Sequence, residues 1–131
     1  MKTIEVLLIN ETGAKFVHVE DDNKAINKLL GWDDAWNVPT ISVMNRKYLC
    51  VCSDTGKIRH EKVSALSLKN IFSPKETLQE TFIVGSIIIT KFDGIDDFES
   101  LNDEDKNVLL SSIMRPSTNS MYFPDVLVLD Y

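Results

Sequence analysis

Seven carboxylates crowd one stretch of the chain: Asp93, Asp96, Asp97, Glu99, Asp103, Glu104 and Asp105. Carboxylates at that density can hold a divalent cation, work as an acid–base pair, or present an anionic surface to a basic partner. The D-x-[DN]-x-[DN]-G order of a calcium loop is missing, so a specific Ca²⁺ site has little support. The plain alternative is a solvated loop leading into the first turn of a helix, where acids favour the helix dipole. The functional alternative is a surface that occupies a site which normally binds nucleic acid. Trp32 and Trp36 stand four residues apart in a loop-like segment. They are hot-spot candidates if exposed and core residues otherwise.

Other residue types with chemical capacity lack companions. His18 falls in an alternating, strand-like segment, and His60 in a basic one. Neither has a Ser, Cys or Asp at a spacing that suggests a triad, so structural and solvated roles are the simpler readings. Cys50 and Cys52 sit at i and i+2, on one face of a strand, which suits burial of two small apolar side chains. There is no second Cys or His pair to complete a metal site. Gly31, Gly56, Gly85 and Gly94 are isolated, so no phosphate-binding loop is present. These absences argue against an enzyme and against a bound metal or cofactor.

Charge is unevenly spread. The 131 residues carry a formal net charge of −6. Residues 46–75 hold Arg46, Lys47, Lys57, Arg59, Lys62, Lys69 and Lys75 against Asp54 and Glu61, a net of +5. Residues 76–131 carry a net of −8. The basic middle either binds phosphate or pairs with the acidic flanks inside one fold. The second reading is the safer one, because the total charge repels a polyanion. A small-ligand binder, such as a protein that sequesters a nucleotide signal, would draw on Arg46, Lys47, Arg59 and Lys62.

The elements that position these residues are legible in outline. Lys2–Ile9 and Ala14–Glu20 read as strands of a hairpin around Asn10-Glu11-Thr12-Gly13. Lys24–Leu30 reads as a short helix, with Asp21, Asp22 and Asn23 as N-cap candidates and Gly31 at C′. Thr40–Met44 and Lys47–Ser53 read as strands joined at Asn45-Arg46, and Lys57–Glu61 as an extension of that meander. Val63–Phe72 leaves strand, helix and loop open. Thr81–Phe92 reads as one strand with Gly85 as a bulge or close contact. Asn102 opens a helix with Asp105 at N3, in the pattern of a capping box, and Pro116 ends it. Asp125–Tyr131 adds a final strand. The expectation is a single α+β domain over residues 1–131, a mostly antiparallel sheet with two short helices. The apolar run after Met1 is too short for a signal-peptide core, and no stretch approaches the roughly 20 apolar residues of a membrane span. A cytoplasmic setting is therefore expected.

Several short motifs carry a resemblance in their order. Leu49–Ile58 resembles a strand–EEGK–strand pattern, Phe82–Ile89 an IVGTVVI strand, and Ser100–Asp105 an SLTDED helix start. With the opening hairpin and short helix, they resemble a family of small proteins from bacteriophages and bacterial mobile elements, the domain of unknown function 3846. The resemblance covers about residues 2–114. The chain departs from it around Phe72–Gln79 and after Pro116, which makes residues 115–131 an extension. It implies no catalytic residues. It implies a phage or mobile element inside a bacterial cytoplasm. In that setting the expected function is a non-enzymatic antagonist of a host defence nuclease complex, of the anti-CRISPR type. It would meet the basic surface of a host protein or nucleoprotein through the acidic residues, with no direct nucleic-acid binding and no membrane.

Overall fold

The computed structural model describes residues 2–31, 36–53, 62–67, 82–92, 98–116 and 121–130. The fold is α+β, with antiparallel pairing predominant and two helices among the described residues. No helix among them is long and apolar enough to cross a membrane.

The first hairpin is β1 (Thr3–Asn10) and β2 (Gly13–Glu20), in register from Thr3↔Glu20 to Asn10↔Gly13. Its turn is built by Asn10, whose side-chain oxygen accepts the Thr12 N–H at 2.9 Å, and by Gly13 at φ +114°. A Cβ on Gly13 would lie 2.7 Å from Asp125 Oδ2. Gly13→Ala therefore meets both an unfavourable backbone and a fixed carboxylate. It is expected to lose about 1–3 kcal/mol of stability. Chemical denaturation checks this; an unchanged midpoint would refute the close contact.

Helix α1 (Asn23–Leu30) follows as expected. Asp22 caps it by accepting the Ala25 N–H at 3.0 Å, and Gly31 closes it at φ +81°. Strands β3 (Trp36–Asn37) and β4 (Thr40–Val43) pair along the same edge of β5 (Arg46–Ser53) in one continuous register. Pro39 separates them, yet its carbonyl still accepts the Cys50 N–H at 3.0 Å. The β4–β5 turn is Met44-Asn45, one residue earlier than the sequence suggests. Both residues have positive φ (50° and 66°), as a two-residue hairpin turn of the right twist requires.

β6 (Val63–Ser67) resolves the open reading of 63–67 as a strand. The apolar run at 82–92 is not one strand. It divides into β7 (Phe82–Val84) and β8 (Ile87–Phe92), because Gly85 at φ +80° turns the chain from one sheet into the other. Short β9 (Phe98–Glu99) returns along β8 and leads into α2 (Asp103–Ser111). Helix α2 stops at Ser112, before Pro116, because Ile113–Met114 leave as strand β10 to pair with the last strand, β11 (Tyr122–Leu129). Strand β11 begins three residues earlier than Asp125. Pro124 is tolerated there because it falls within a register shift against β6. The expected strand at 57–61 lies outside the described residues.

Two sheets result. The first runs β2-β1-β8-β5, with β3 and β4 on the far edge of β5 and β9 on β8. The second runs β10-β11-β6-β7, with β11 and β6 parallel. Alternation along the strands sorts side chains by face. Leu7, Ile9, Ile87, Ile89, Tyr48, Cys50 and Cys52 meet Ala65, Phe123, Leu127 and Leu129 of the second sheet. Ile4, Val6, Leu8, Val51 and Ile88 point the other way and are covered by Ile26 and Leu30 of α1. The segment after residue 114 is therefore no appendage: β11 is an interior strand of the second sheet and supplies part of the main core.

Candidate functional site

The α2 N-terminus divides the acidic stretch into an inward and an outward part. The chain arrives held to the first sheet. Thr90 Oγ1 donates to the Glu99 carbonyl at 3.0 Å, Glu5 N–H donates to Ser100 Oγ at 2.9 Å, and Leu101 N–H donates to the Glu5 carbonyl at 2.9 Å. Asn102 then caps the helix in both directions. Its Oδ1 accepts the Asp105 N–H at 2.8 Å, and its own N–H donates to Asp105 Oδ2 at 3.1 Å. The expected capping box is formed.

That box turns Asp105 into the core, where it is 1% exposed. Three side chains from the first sheet converge on it. Tyr48 donates its hydroxyl to Oδ1 at 3.0 Å, Lys91 Nζ lies 2.7 Å from Oδ2, and Arg46 Nη2 lies 3.5 Å from Oδ1. Burial pushes the Asp105 carboxyl up. The Lys91 ammonium, the Asn102 N–H and the Tyr48 hydroxyl outweigh burial and hold it below the ordinary carboxylate value. Tyr48 is pushed up to about 12, first by burial and then by the Asp105 carboxylate it donates to. This cluster positions the helix. Its tyrosine stays a proton donor at neutral pH and its carboxylate stays ionised, so neither is poised to exchange a proton.

Asp105 therefore does not belong to an acidic surface. Its neighbours do. Asp103 and Glu104 have side chains 98% and 76% exposed, and Glu99 on β9 is exposed as well. Both helix acids touch a cation, Glu104 with Arg46 at 3.0 Å and Asp103 with Lys106 at 3.4 Å. Lys106 also reaches Glu5 Oε1 at 3.0 Å. At these exposures such pairs contribute little. They do show where part of the charge division goes: Arg46 of the basic middle pairs with the acids of α2.

The remaining candidates are dispersed. Arg46 and Lys47 are consecutive on β5 and so point to opposite faces, and Lys62 is exposed at the start of β6 in the second sheet. Arg46 is committed to α2. These three do not surround one phosphate, and Arg59 lies outside the described residues. Asp93, Asp96, Asp97, Trp32 and His60 also lie outside them, and Trp36 is placed only as part of β3. His18 is exposed on β2 opposite Glu5. Cys50 and Cys52 are buried in the main core, and the hydrogen bond between them, with burial, pushes the Cys50 thiol well up. Among the described residues no group of three or more His, Cys, Asp and Glu could hold a metal ion.

The sequence did not single out Tyr48 and Lys91 as partners of Asp105. The one signal was the capping-box spacing, which orients the Asp105 side chain back along the helix but does not say what lies beneath it. Compared with known family models, characterised proteins and solved structures, the chain matches none.

Proposed function

We propose that this chain is a non-enzymatic protein of a bacteriophage or mobile element that binds and inhibits a host defence nuclease complex, in the manner of an anti-CRISPR protein. The contact is the acidic surface at the start of α2, and the partner surface is a basic channel that otherwise holds nucleic acid. The observation that carries this reading is the exposure of Asp103 and Glu104 on a turn locked in place from below by Asp105. A helix turn already held in place lowers the ordering cost with which its carboxylates substitute for phosphates. The overall charge of −6 favours a cationic partner and disfavours nucleic acid itself. The resemblance to the domain of unknown function 3846 supplies the phage setting.

Affinity capture from a bacterial host tests it. The wild-type chain is expected to retain a nucleic-acid-binding protein that elutes as salt rises. The variant Glu99→Lys/Asp103→Lys/Glu104→Lys is expected to lose at least tenfold in retention, since charge reversal removes both steering and contact. Equal retention by the variant would refute the acidic-surface mechanism.

A further inference from the structure

Strand β2 is the outer strand of the first sheet, paired to β1 on one side only. In an antiparallel pair the N–H and C=O groups of alternate residues turn away from the partner. Ala14 marks which residues these are: its N–H points outward and is taken by Asp125 Oδ2 at 2.7 Å. By the two-residue period of a strand, the groups of Phe16, His18 and Glu20 point the same way. Among the described residues no acceptor meets the N–H of any of these three. The other edges are closed or short. On β4, the Asp130 N–H donates to the Ser42 carbonyl at 3.0 Å, and Asp130 Oδ2 accepts the Asn45 N–H at 2.6 Å in the following turn. Strands β3, β7, β9 and β10 have only two or three residues each. Strand β2 has eight, and an open edge of that length is a template for another strand.

The strand that fits is β2 itself. With Ala14 already taken, the open groups of Phe16, His18 and Glu20 are centred on His18. An antiparallel partner with the same three groups therefore sets His18 against His18 and Phe16 against Glu20. That register also sets Val17 against Val19, and the exposed Lys15 against Asp21 just past the end of the strand. Opposite charges facing each other across a strand pair attract. A two-fold axis through His18 repeats each of these contacts, as a closed dimer requires. A basic strand, of the kind drawn to the acids of α2, would instead set a cation against Lys15.

We propose that two copies of the chain form a two-fold dimer in which their β2 strands pair antiparallel about His18, continuing the first sheet across both. The test is sedimentation equilibrium of the full chain over a concentration series reaching millimolar. A reversible dimer is expected, and a monomer throughout overturns the proposal. His18→Pro removes the central outward N–H but none of the groups bonded to β1, so it should give a folded monomer. Lys15→Glu and Asp21→Lys should each weaken dimerisation about tenfold, counting both copies of the pair. One makes the chain more acidic and the other less, so net charge alone cannot weaken both. The combined variant Lys15→Glu/Asp21→Lys restores the opposed charges and should return to within about threefold of wild type. Where His18→Pro does not fold, the charge exchange decides. A dimer that survives His18→Pro, or single charge variants that the combined one does not rescue, overturns the pairing.

Discussion

Asp105→Ala should lose about 3–5 kcal/mol of folding stability, the loss typical of breaking a buried ion pair from one side. Lys91 and Arg46 would keep their charges beneath α2 without the carboxylate that balances them, and the Tyr48 hydroxyl would lose its acceptor. The capping box would go with it. Asp105→Asn separates charge from shape: it can still accept from Tyr48 but no longer neutralises Lys91. The pH dependence follows from the depressed carboxyl. A group with a lowered folded pKa stabilises the fold above its unfolded value of about 3.9 and stops doing so as pH falls through the folded value. Wild type is therefore expected to lose this contribution below about pH 4. Asp105→Asn should be weaker at neutral pH and flatter in acid. Thermal or chemical denaturation from pH 3 to pH 7 reads both; parallel profiles would refute the assignment.

Removal of residues 117–131 is expected to abolish folding. Strand β11 buries Phe123, Val126, Leu127 and Leu129. Each such burial contributes roughly 1.5–3 kcal/mol, so their sum rivals the 5–15 kcal/mol that typically holds a domain together. The deletion also leaves β10 and β6 without their shared partner and removes both Asp125 and Asp130. A chain ended at Pro116 should show no cooperative unfolding transition and little amide protection. A cooperative transition near the wild-type midpoint would contradict the interior placement of β11.

Local signals in the sequence account for most of the first sheet and both helices. The Asn10–Gly13 turn, the Asp22 cap, Gly31 and the Asn102–Asp105 box are short-range chemistry, and each is where its residue types place it. Long-range pairing was less legible. Nothing local distinguishes a bulge at Gly85 from a turn that sends the chain to another sheet. Nor does Pro124 reveal that a register shift will accommodate it. The helix ends at Ser112 rather than at Pro116 for a related reason: a distant strand competes for Ile113 and Met114 before Pro116 acts. At the site, spacing identified the acids of α2 but could not sort them. Asp105 turns inward because β5 and β8 present Tyr48, Arg46 and Lys91 beneath it, and that convergence exists only once three elements pack.

Asp105 and its neighbours thus have separate expected roles, one inside the fold and the others on its surface. The most direct test is target-DNA cleavage by RNA-guided nuclease complexes of bacterial defence, measured with rising salt in the presence of the wild-type chain or the Glu99→Lys/Asp103→Lys/Glu104→Lys variant. Wild type is expected to suppress cleavage by its cognate complex at low salt and to weaken as salt screens the contact. The variant should leave cleavage intact while still unfolding cooperatively, its midpoint lowered only by the lost dipole and surface-pair contributions at the α2 N-terminus. Undiminished suppression by the variant, or cleavage untouched by the wild-type chain across the panel, would contradict the proposed function.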